Sequence, residues 1–308
     1  MPRWIYGLLV TVVVMIWGFN VIALKVLVHH FDPVTMTSFR IFVAGFVVFV
    51  MMGLIGKLKK LTWTEMKLVG AAGLFNVVFH HFFLAIGLTL TTASNSGLIL
   101  GTLPLLTALM SMKFLGDRFT WFRGLGILFG LLGVSFIVLN GKSHLGQVSI
   151  GDFYVFLAAL SQAISFILVK RASNTMDVRV LTGWMFLFGS AVLFLVSLAI
   201  EPHGLARFSN GNIQVWLLFL CSAIFATGLG HMIYNKSLQR LGATEAAIFT
   251  NLSPFFTLIG SYFFLNEPIT FAQMSGFVLI ILGVILGSGV INDQNKTQRM
   301  RKEQDQAI

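Results

Sequence analysis

The chain contains 308 residues, of which 56% are hydrophobic and only 10% are charged, and its formal net charge is +10. Soluble domains carry about 25% charged residues, because their surfaces must stay hydrated. The composition therefore excludes a soluble fold and indicates an integral membrane protein. The basic residues lie in short loops between apolar runs, so the positive charge predicts membrane orientation and no nucleic-acid partner.

Ten apolar runs follow one another along the chain. A helix needs about 20 apolar residues to cross the bilayer, and each run is close to that length. The runs are continuous rather than alternating in hydrophobicity, which excludes a transmembrane β-barrel. We therefore predict ten transmembrane helices, at residues 4–28, 34–56, 66–88, 92–115, 122–140, 151–170, 179–200, 213–237, 243–265 and 271–291.

The lysines and arginines between these runs predict how the chain is oriented in the membrane. If the N-terminus is cytoplasmic, nearly all of them fall on the cytoplasmic side, and the outer loops hold only Lys142 and Arg207. We therefore expect a multi-pass protein of the cell membrane with both termini in the cytoplasm. The polar segment 292–308 is predicted to be a cytoplasmic tail.

The second half of the chain repeats part of the first half without a gap. The shift that pairs Pro104 with Pro254 also pairs Leu132-Gly133-Val134 with Leu282-Gly283-Val284. Five helices in each half is an odd number, so the second half must enter the membrane in the opposite orientation. The predicted fold is an all-α integral membrane protein with ten transmembrane helices in two inverted five-helix repeats, which occupy residues 1–145 and 146–291.

Short motifs in both halves carry a family resemblance. They are Trp17-Gly18, Asp32-Pro33, Arg40, the LGDRFT segment at 115–120 and the LNEPIT segment at 265–270. On these residues the chain resembles the EamA family of the drug/metabolite transporter superfamily, over nearly its whole length. The resemblance implies ten helices around a central cavity, and the export of small metabolites such as amino acids, or of toxic compounds.

Polar residues inside the first two runs are candidate functional residues, because each costs free energy in a membrane unless it has a partner. Trp17 and Asn20 share one face of the first helix, and both are candidate substrate-binding residues. Asn20 is predicted either to line the cavity or to bond to a neighbouring helix. Arg40 is a candidate gating or structural residue. It either snorkels to the outer headgroups, faces the cavity, or pairs with an acidic residue, of which Asp32 is nearest in sequence.

Two histidines occupy matching positions in the two halves, since the shift that pairs the prolines also pairs His81 with His231. We predict that they face each other near the pseudo-two-fold axis and bind substrate, together with Asn76 and Tyr234. Histidine titrates near neutral pH, so a proton is the candidate coupling ion. The alternative is that both rings are satisfied by hydrogen bonds to the backbone, Asn76 or Tyr234. A metal site is not expected, because no Asp, Glu or Cys accompanies them.

Prolines interrupt the fourth and ninth predicted helices. Pro104 and Pro254 each remove a backbone donor and kink the helix, so they are candidate gating or structural residues. Carbonyl groups freed by a kink are tolerated only where neighbours bond to them or where they face a cavity. Asn251 is therefore a further candidate substrate-binding residue. The alternative is a packing kink that Ser253 seals.

These features favour a secondary transporter that exports a small metabolite by alternating access. The candidate cavity residues include no carboxylate, so a neutral or zwitterionic, amino-acid-like substrate fits better than a cation. Efflux of aromatic or cationic drugs is an alternative. An intramembrane enzyme is another, but the sequence shows no buried carboxylate cluster, and Cys221 has no evident base. We expect no enzymatic activity, no cofactor, contact with membrane lipid, and a monomer or homodimer.

Overall fold

The computed structural model describes residues 3–58, 60–114, 120–139, 149–241, 246 and 249–287, and within these ranges it contains helices and no strand. A single helical turn, Gly204–Arg207, lies between the seventh and eighth helices. The principal helices are α1 (Arg3–His30), α2 (Pro33–Leu54), α3 (Trp63–Leu90), α4 (Ala93–Phe114), α5 (Trp121–Leu139), α6 (Ile150–Ala172), α7 (Val178–Ile200), α8 (Ile213–Leu241), α9 (Ser253–Leu265) and α10 (Phe271–Gly287).

The described helices confirm a multi-pass membrane protein. Seven of them, α1 to α4 and α6 to α8, are long and apolar enough to cross a membrane. Helices α5 and α10 contain shorter apolar stretches, Gly124–Ile137 and Phe271–Leu286. Full-length spans therefore occupy seven of the ten predicted positions within the described ranges. The predicted boundary between the repeats, at residues 145 and 146, and the predicted tail lie outside the described residues.

Most of the main helix contacts are preserved when each helix is exchanged for the one five places away. The pairs α2–α7, α4–α9 and α5–α10 each map onto themselves. The pair α1–α8 maps onto α3–α6, the pair α1–α9 maps onto α4–α6, and the pair α2–α8 maps onto α3–α7. Contacts between the first five helices and the last five therefore build the centre of the bundle.

Glycines let α5 and α10 approach each other backbone to backbone. A Cβ atom on Gly283 would lie 2.7 Å from the carbonyl oxygen of Gly126 and 2.7 Å from the amide nitrogen of Gly130. A Cβ atom on Gly133 would lie 2.8 Å from the carbonyl oxygen of Gly276. Backbone atoms cannot move aside as flexible side chains can. The close packing of α5 and α10 therefore requires glycine at these positions.

Three central helices depart from regular α-helical geometry near their middles, and a further irregular turn directly precedes α9. Helix α3 contains a π-helical turn at Leu74–Phe79 and α8 contains one at Ser222–Leu229. Helix α4 is interrupted at Gly101–Thr102, and the 3₁₀ turn Thr250–Leu252 precedes α9. Such irregular turns recur at functional sites because they free backbone groups and redirect side chains. All four turns lie in, or directly precede, helices that contribute to the central cavity described below.

Two carboxylates cap helix N-termini from elsewhere in the chain. The side chain of Glu201 accepts hydrogen bonds from the amides of Val34 (2.9 Å) and Thr35 (2.7 Å) at the start of α2. The side chain of Glu267 accepts from the amides of Ala93 and Ser94, both at 2.9 Å, at the start of α4. The first amides of a helix have no partner within the helix and carry partial positive charge. Each carboxylate therefore stabilises the N-terminus of its helix, Glu201 that of α2 and Glu267 that of α4.

The contact between α5 and α10 generates a stability prediction. Replacement of Gly283 by alanine forces a methyl group against two backbone atoms, and overpacking of this kind costs about 1–3 kcal/mol. We expect the G283A protein in detergent to unfold at a lower temperature than the wild type in a fluorescence melting experiment. The matched control is G70A, because a Cβ atom there meets only the Phe188 ring at 3.9 Å. Equal melting temperatures for G283A and G70A would contradict the proposed packing.

Candidate functional site

A cavity of about 100 Å³ lies where helices of both halves of the chain meet. Its walls come from α1, α3, α4, α6 and α8, and from the residues at the start of α9. The apolar part of the lining includes Trp17, Leu24 and Phe166. The polar side chains that line it are those of Asn20, His80, His81, Gln162, Thr227, His231, Thr250 and Ser253. Helices that carry irregular turns thus surround the most polar part of the bundle.

Three histidines lie side by side along this cavity. The ring centroids of His81 and His231 are 6.4 Å apart, and those of His80 and His81 are 4.6 Å apart. The Nδ1 atom of His80 lies 2.9 Å from the carbonyl oxygen of Ala158, and that of His231 lies 3.1 Å from the carbonyl oxygen of Thr227. A carbonyl can only accept, so Nδ1 carries the proton in both rings. In the neutral rings Nε2 is then the acceptor.

His81 has the opposite tautomer because its neighbour is a donor. Its Nδ1 atom lies 3.4 Å from Nη2 of Arg40, which can only donate. The proton of a neutral His81 ring therefore sits on Nε2, and this atom is buried without a hydrogen-bond partner. The structure thus brings the two sequence-paired histidines together but gives them different roles. His231 presents an acceptor, and His81 presents an unused donor.

Arg40 turns into the bundle rather than toward the membrane surface. It is 1% exposed, and its guanidinium group donates to the hydroxyl groups of Thr227 and, at 3.4 Å, Ser222. The alternative of snorkelling is therefore wrong, and so is the pairing with Asp32, which binds Arg207 instead (3.1 Å). Among the residues that the structure describes, no carboxylate forms an ion pair with Arg40.

Trp17 and Asn20 both reach the cavity from α1. The indole nitrogen of Trp17 donates to the carbonyl oxygen of Ala226 at 2.8 Å, and its ring lies 4.8 Å from that of His231. The amide oxygen of Asn20 accepts from the hydroxyl group of Ser222 at 2.6 Å. Asn20 therefore lines the cavity and also bonds to a neighbouring helix, so both interpretations of this residue describe part of its environment.

Asn76, Tyr234 and Asn251 do not line the cavity. The amide of Asn76 donates to the hydroxyl group of Ser165 on α6 at 2.9 Å, which joins two helices. Tyr234 is fully buried behind Trp17, with ring centroids 4.9 Å apart, and its hydroxyl group has no hydrogen-bond partner. Asn251 belongs to the 3₁₀ turn whose neighbour Thr250 does line the cavity. Their assignment to substrate binding stays a prediction.

The two prolines lie beside the point where α4 and α9 cross. A Cβ atom on Gly101 would lie 2.5 Å from Cγ of Pro254, so the interrupted turn of α4 packs directly on that ring. Pro104 follows the same interruption, and the hydroxyl group of Thr102 bonds back to the carbonyl oxygen of Ile99 at 2.7 Å. The same carbonyl oxygen also accepts from the amide of Thr102 at 3.0 Å, so it is satisfied locally at the interruption.

Sequence reasoning missed several polar residues of the site, although a signal existed for one of them. Gln162 on α6 lines the cavity. An alignment of α1 with α6 that places Asn20 on Ser165 also places Trp17 on Gln162, so the sequence pointed to this position. Thr227 and Ser222 lie within the π-helical turn of α8. No sequence pattern predicted the π-helical turn of α8. The contacts of Thr227 and Ser222 with Arg40 depend on that turn, so the sequence did not predict them either.

A polar network closes the end of the bundle where α3 ends and α4 begins. The ammonium group of Lys25 donates to two carbonyl groups near the end of α3, including that of Thr91 at 2.6 Å. The carboxylate of Asp152 accepts from the hydroxyl group of Thr91 and from the amide of Asn95. The amide of Gln273 donates to Asn95 at 2.9 Å. This closing network joins α1, α3, α4, α6 and α10.

A larger groove of about 570 Å³ lies on the outer surface of the bundle, between α3 and α7. Its lining includes Lys60, Trp63, Lys67, Trp184 and Phe188. Trp63 is 69% exposed, so this groove faces the surroundings of the bundle and not the interface between its halves. Among the described residues, no group of three or more His, Cys, Asp or Glu side chains is arranged to hold a metal ion.

The known proteins that this chain resembles include uncharacterized transporters. The chain is 30% identical over 295 residues to the uncharacterized transporter YyaM of Bacillus subtilis, and the match covers 90% of this chain and 93% of that protein. It is 25% identical to an uncharacterized transporter of Archaeoglobus fulgidus, over 93% of this chain and 98% of that protein. A crystal structure described only as "Crystal structure of protein" has the same fold, with a TM-score of 0.68, 18% identity, and coverage of 92% of this chain and 96% of that chain.

The model of the EamA-like transporter family matches the chain twice, over residues 4–139 and 149–289. Together the two matches span nearly all of the sequence. The chain therefore belongs to the EamA-like transporter family.

Proposed function

We propose that this protein is a secondary transporter that exports a small metabolite across the cell membrane by alternating access. The observation that carries the proposal is the small cavity, lined by both polar and apolar side chains, that lies between helices from both halves of the chain. Transporters built from inverted repeats bind substrate at this position, between the repeats and near the middle of the bilayer. Both termini are cytoplasmic in this proposal, as the distribution of lysines and arginines favours.

Two observations support the inverted repeat that this mechanism uses. Most of the main helix contacts are preserved when the first five helices are exchanged for the last five. The family model matches each half of the chain separately. Ten transmembrane helices in two five-helix units of opposite orientation account for both observations. Motion of one group of helices against the other would then open the cavity to each side in turn.

The size of the cavity supports a closed conformation of such a transporter. One water molecule needs about 10–15 Å³ of such cavity space, so about 100 Å³ holds fewer than about ten waters. A metabolite enters only after the surrounding helices separate. At one end the closing network must break first, including the bonds of Lys25 to the end of α3 and of Asp152 to Asn95. These groups form one gate of the proposed transporter.

The chemistry of the cavity favours some substrates over others. Its described lining contains no carboxylate, so a simple organic cation lacks a counter-ion there. A zwitterionic or neutral, amino-acid-like metabolite fits the mixture of amide, hydroxyl and imidazole groups. Efflux of aromatic or cationic compounds is the second candidate, because the faces of Trp17 and Phe166 can bind a cation. An intramembrane enzyme would need paired carboxylates or a metal-binding cluster, and the described residues of the site contain neither.

The proposed function is tested with purified protein in lipid vesicles. Vesicles are loaded with a panel of amino acids and other small metabolites, and efflux is followed by mass spectrometry with protein-free vesicles as the baseline. We expect at least one compound to leave faster than from the baseline vesicles and to be chemically unchanged. Conversion of a panel compound or of lipid into a product, with no transport, would support the enzymatic alternative instead.

A substitution in the cavity wall provides a second prediction. W17A removes the indole that packs on His231 and Tyr234, so substrate contacts and the shape of the cavity are both lost. We expect efflux to fall by about tenfold or more, because a loss of about 1.4 kcal/mol in substrate binding already lowers affinity tenfold. The matched control is W121A, because Trp121 is 74% exposed at the start of α5. Equal efflux by W17A and wild type would place the substrate elsewhere.

The proposed coupling proton gives a third prediction. If His81 or His231 carries it, efflux depends on pH between about pH 5 and 8, where imidazole groups titrate. We expect H81N and H231N to flatten this dependence. The control is H203N, because His203 is exposed in the segment between α7 and α8. Identical pH profiles for wild type, H81N and H231N would exclude both rings as proton carriers.

A further inference from the structure

Arg40 is a buried charge without a counter-charge. Its guanidinium group is 1% exposed, deep in a bundle that crosses a membrane. An arginine keeps its proton in proteins, so the group is a cation wherever it lies. A buried, uncompensated charge is strongly destabilising, and charged residues inside membrane proteins pair with one another or mark a ligand pathway. Neutral groups surround Arg40 instead of a carboxylate.

The neutral partners leave part of the guanidinium unused. Two hydroxyl groups, of Thr227 and Ser222, and the ring of His81 accept from its terminal nitrogens. The remaining nitrogen, Nε, is buried and has no hydrogen-bond partner. A guanidinium group has five donors in a planar fork, which matches the two oxygens of a carboxylate. The site therefore holds positive charge and free donors, but no anion among its described residues.

Arg40 lies directly behind the wall of the central cavity. A crevice beside it, too narrow for a water molecule, is lined by Arg40, His81, Leu24 and Leu84, and the last three residues also line the cavity itself. Thr227 lines the cavity as well, and it accepts a hydrogen bond from Arg40. The unpartnered Nε2 of His81 is a second free donor at this wall. A group in the cavity needs to move past only these side chains to reach the guanidinium.

We propose that Arg40, His81 and Thr227 form a carboxylate-binding subsite, so that the transported metabolite carries a carboxylate group. This inference rests on the proposed function and narrows its substrate class to anions and zwitterions. In the subsite, Arg40 supplies the positive charge and a planar edge of N–H donors. His81 supplies its Nε2 proton. Thr227 positions the guanidinium group, because its hydroxyl group accepts from Arg40 and donates to the carbonyl oxygen of Ser222 at 3.0 Å. Ser222, which also accepts from Arg40, donates a hydrogen bond to Asn20 and so connects the subsite to α1.

Binding is measured on the purified full-length protein in detergent, independently of transport. Its melting temperature is recorded with acetate, propionate or L-alanine, and with acetamide, propionamide or L-alaninamide at equal concentration and ionic strength. We expect the carboxylates to raise the melting temperature and the amides to leave it unchanged. Chloride is the inorganic control. A chloride effect as large as that of the carboxylates would assign the site to inorganic anions and overturn the inference.

Substitutions then test the role of the guanidinium. R40Q should abolish the stabilisation by carboxylates, and R40K should retain part of it, because lysine keeps the charge but loses the planar fork. The matched control is R207Q, because Arg207 is an exposed arginine in the helical turn between α7 and α8, and this variant should respond to carboxylates as the wild type does. If R40Q does not fold, H81Q and T227V test the same subsite, and each should weaken the carboxylate effect. Full stabilisation in every folded variant would overturn the inference.

Transport separates failure of this inference from failure of the proposed function. In vesicles loaded with paired carboxylates and amides, we expect about 10- to 100-fold faster efflux of the carboxylates, the range expected for hydrogen bonds to a charged group. Amides that leave as fast as carboxylates overturn the subsite but keep the transporter. Absence of any efflux, with carboxylate-dependent stabilisation intact, keeps the subsite and overturns the proposed function.

Discussion

The absence of water inside a membrane is the constraint on which this structure depends, because every polar group must find its partner within the protein. Glu201 and Glu267 satisfy this requirement at the starts of α2 and α4, where they accept hydrogen bonds from amides that have no partner in their own helix. Lys25 meets it at the end of α3, where it donates to two free carbonyl groups. The two glutamates lie in the second half of the chain and bond to helices of the first half, whereas Lys25 joins two helices of the first half. The glutamate bonds that satisfy the backbone therefore also hold the two halves together.

Close packing places the remaining polar groups at the centre. Glycine contacts draw α5 and α10 together on one side of the bundle, and the turn at Gly101 lies against Pro254 where α4 and α9 cross. Helices α1, α3, α6 and α8 then enclose the space between them, and their polar side chains face one another there. The π-helical turns add to this effect. They turn Thr227 and Ser222 toward Arg40, in a position that a regular helix of this sequence would give to other residues.

The sequence predicted those parts of the structure that depend on hydrophobicity and on the internal repeat. Long apolar runs predicted a helical membrane protein, and the repeat paired His81 with His231, whose rings lie 6.4 Å apart. It did not predict hydrogen-bond partners. Asp32 was the nearest acid to Arg40 in sequence, yet it bonds to Arg207, because the loop after α7 folds back over the start of α2. Such contacts join residues far apart in the chain, so local patterns carry no information about them.

Arg40 and His81 are linked through a single hydrogen bond, and this link has a consequence for ion coupling. Nδ1 of His81 accepts from Arg40 and therefore cannot hold a proton while that bond exists. A second proton on the ring would break the bond and set two cations side by side in a medium of low dielectric constant, where their repulsion is large. An anion at the guanidinium would offset that repulsion, because it would supply the missing negative charge. Binding of a carboxylate and protonation of His81 would then favour each other, and a proton and a monocarboxylate together cross the membrane without net charge. Linkage requires this coupling to be mutual: any proton that promotes binding of the anion must itself bind more tightly when the anion is present.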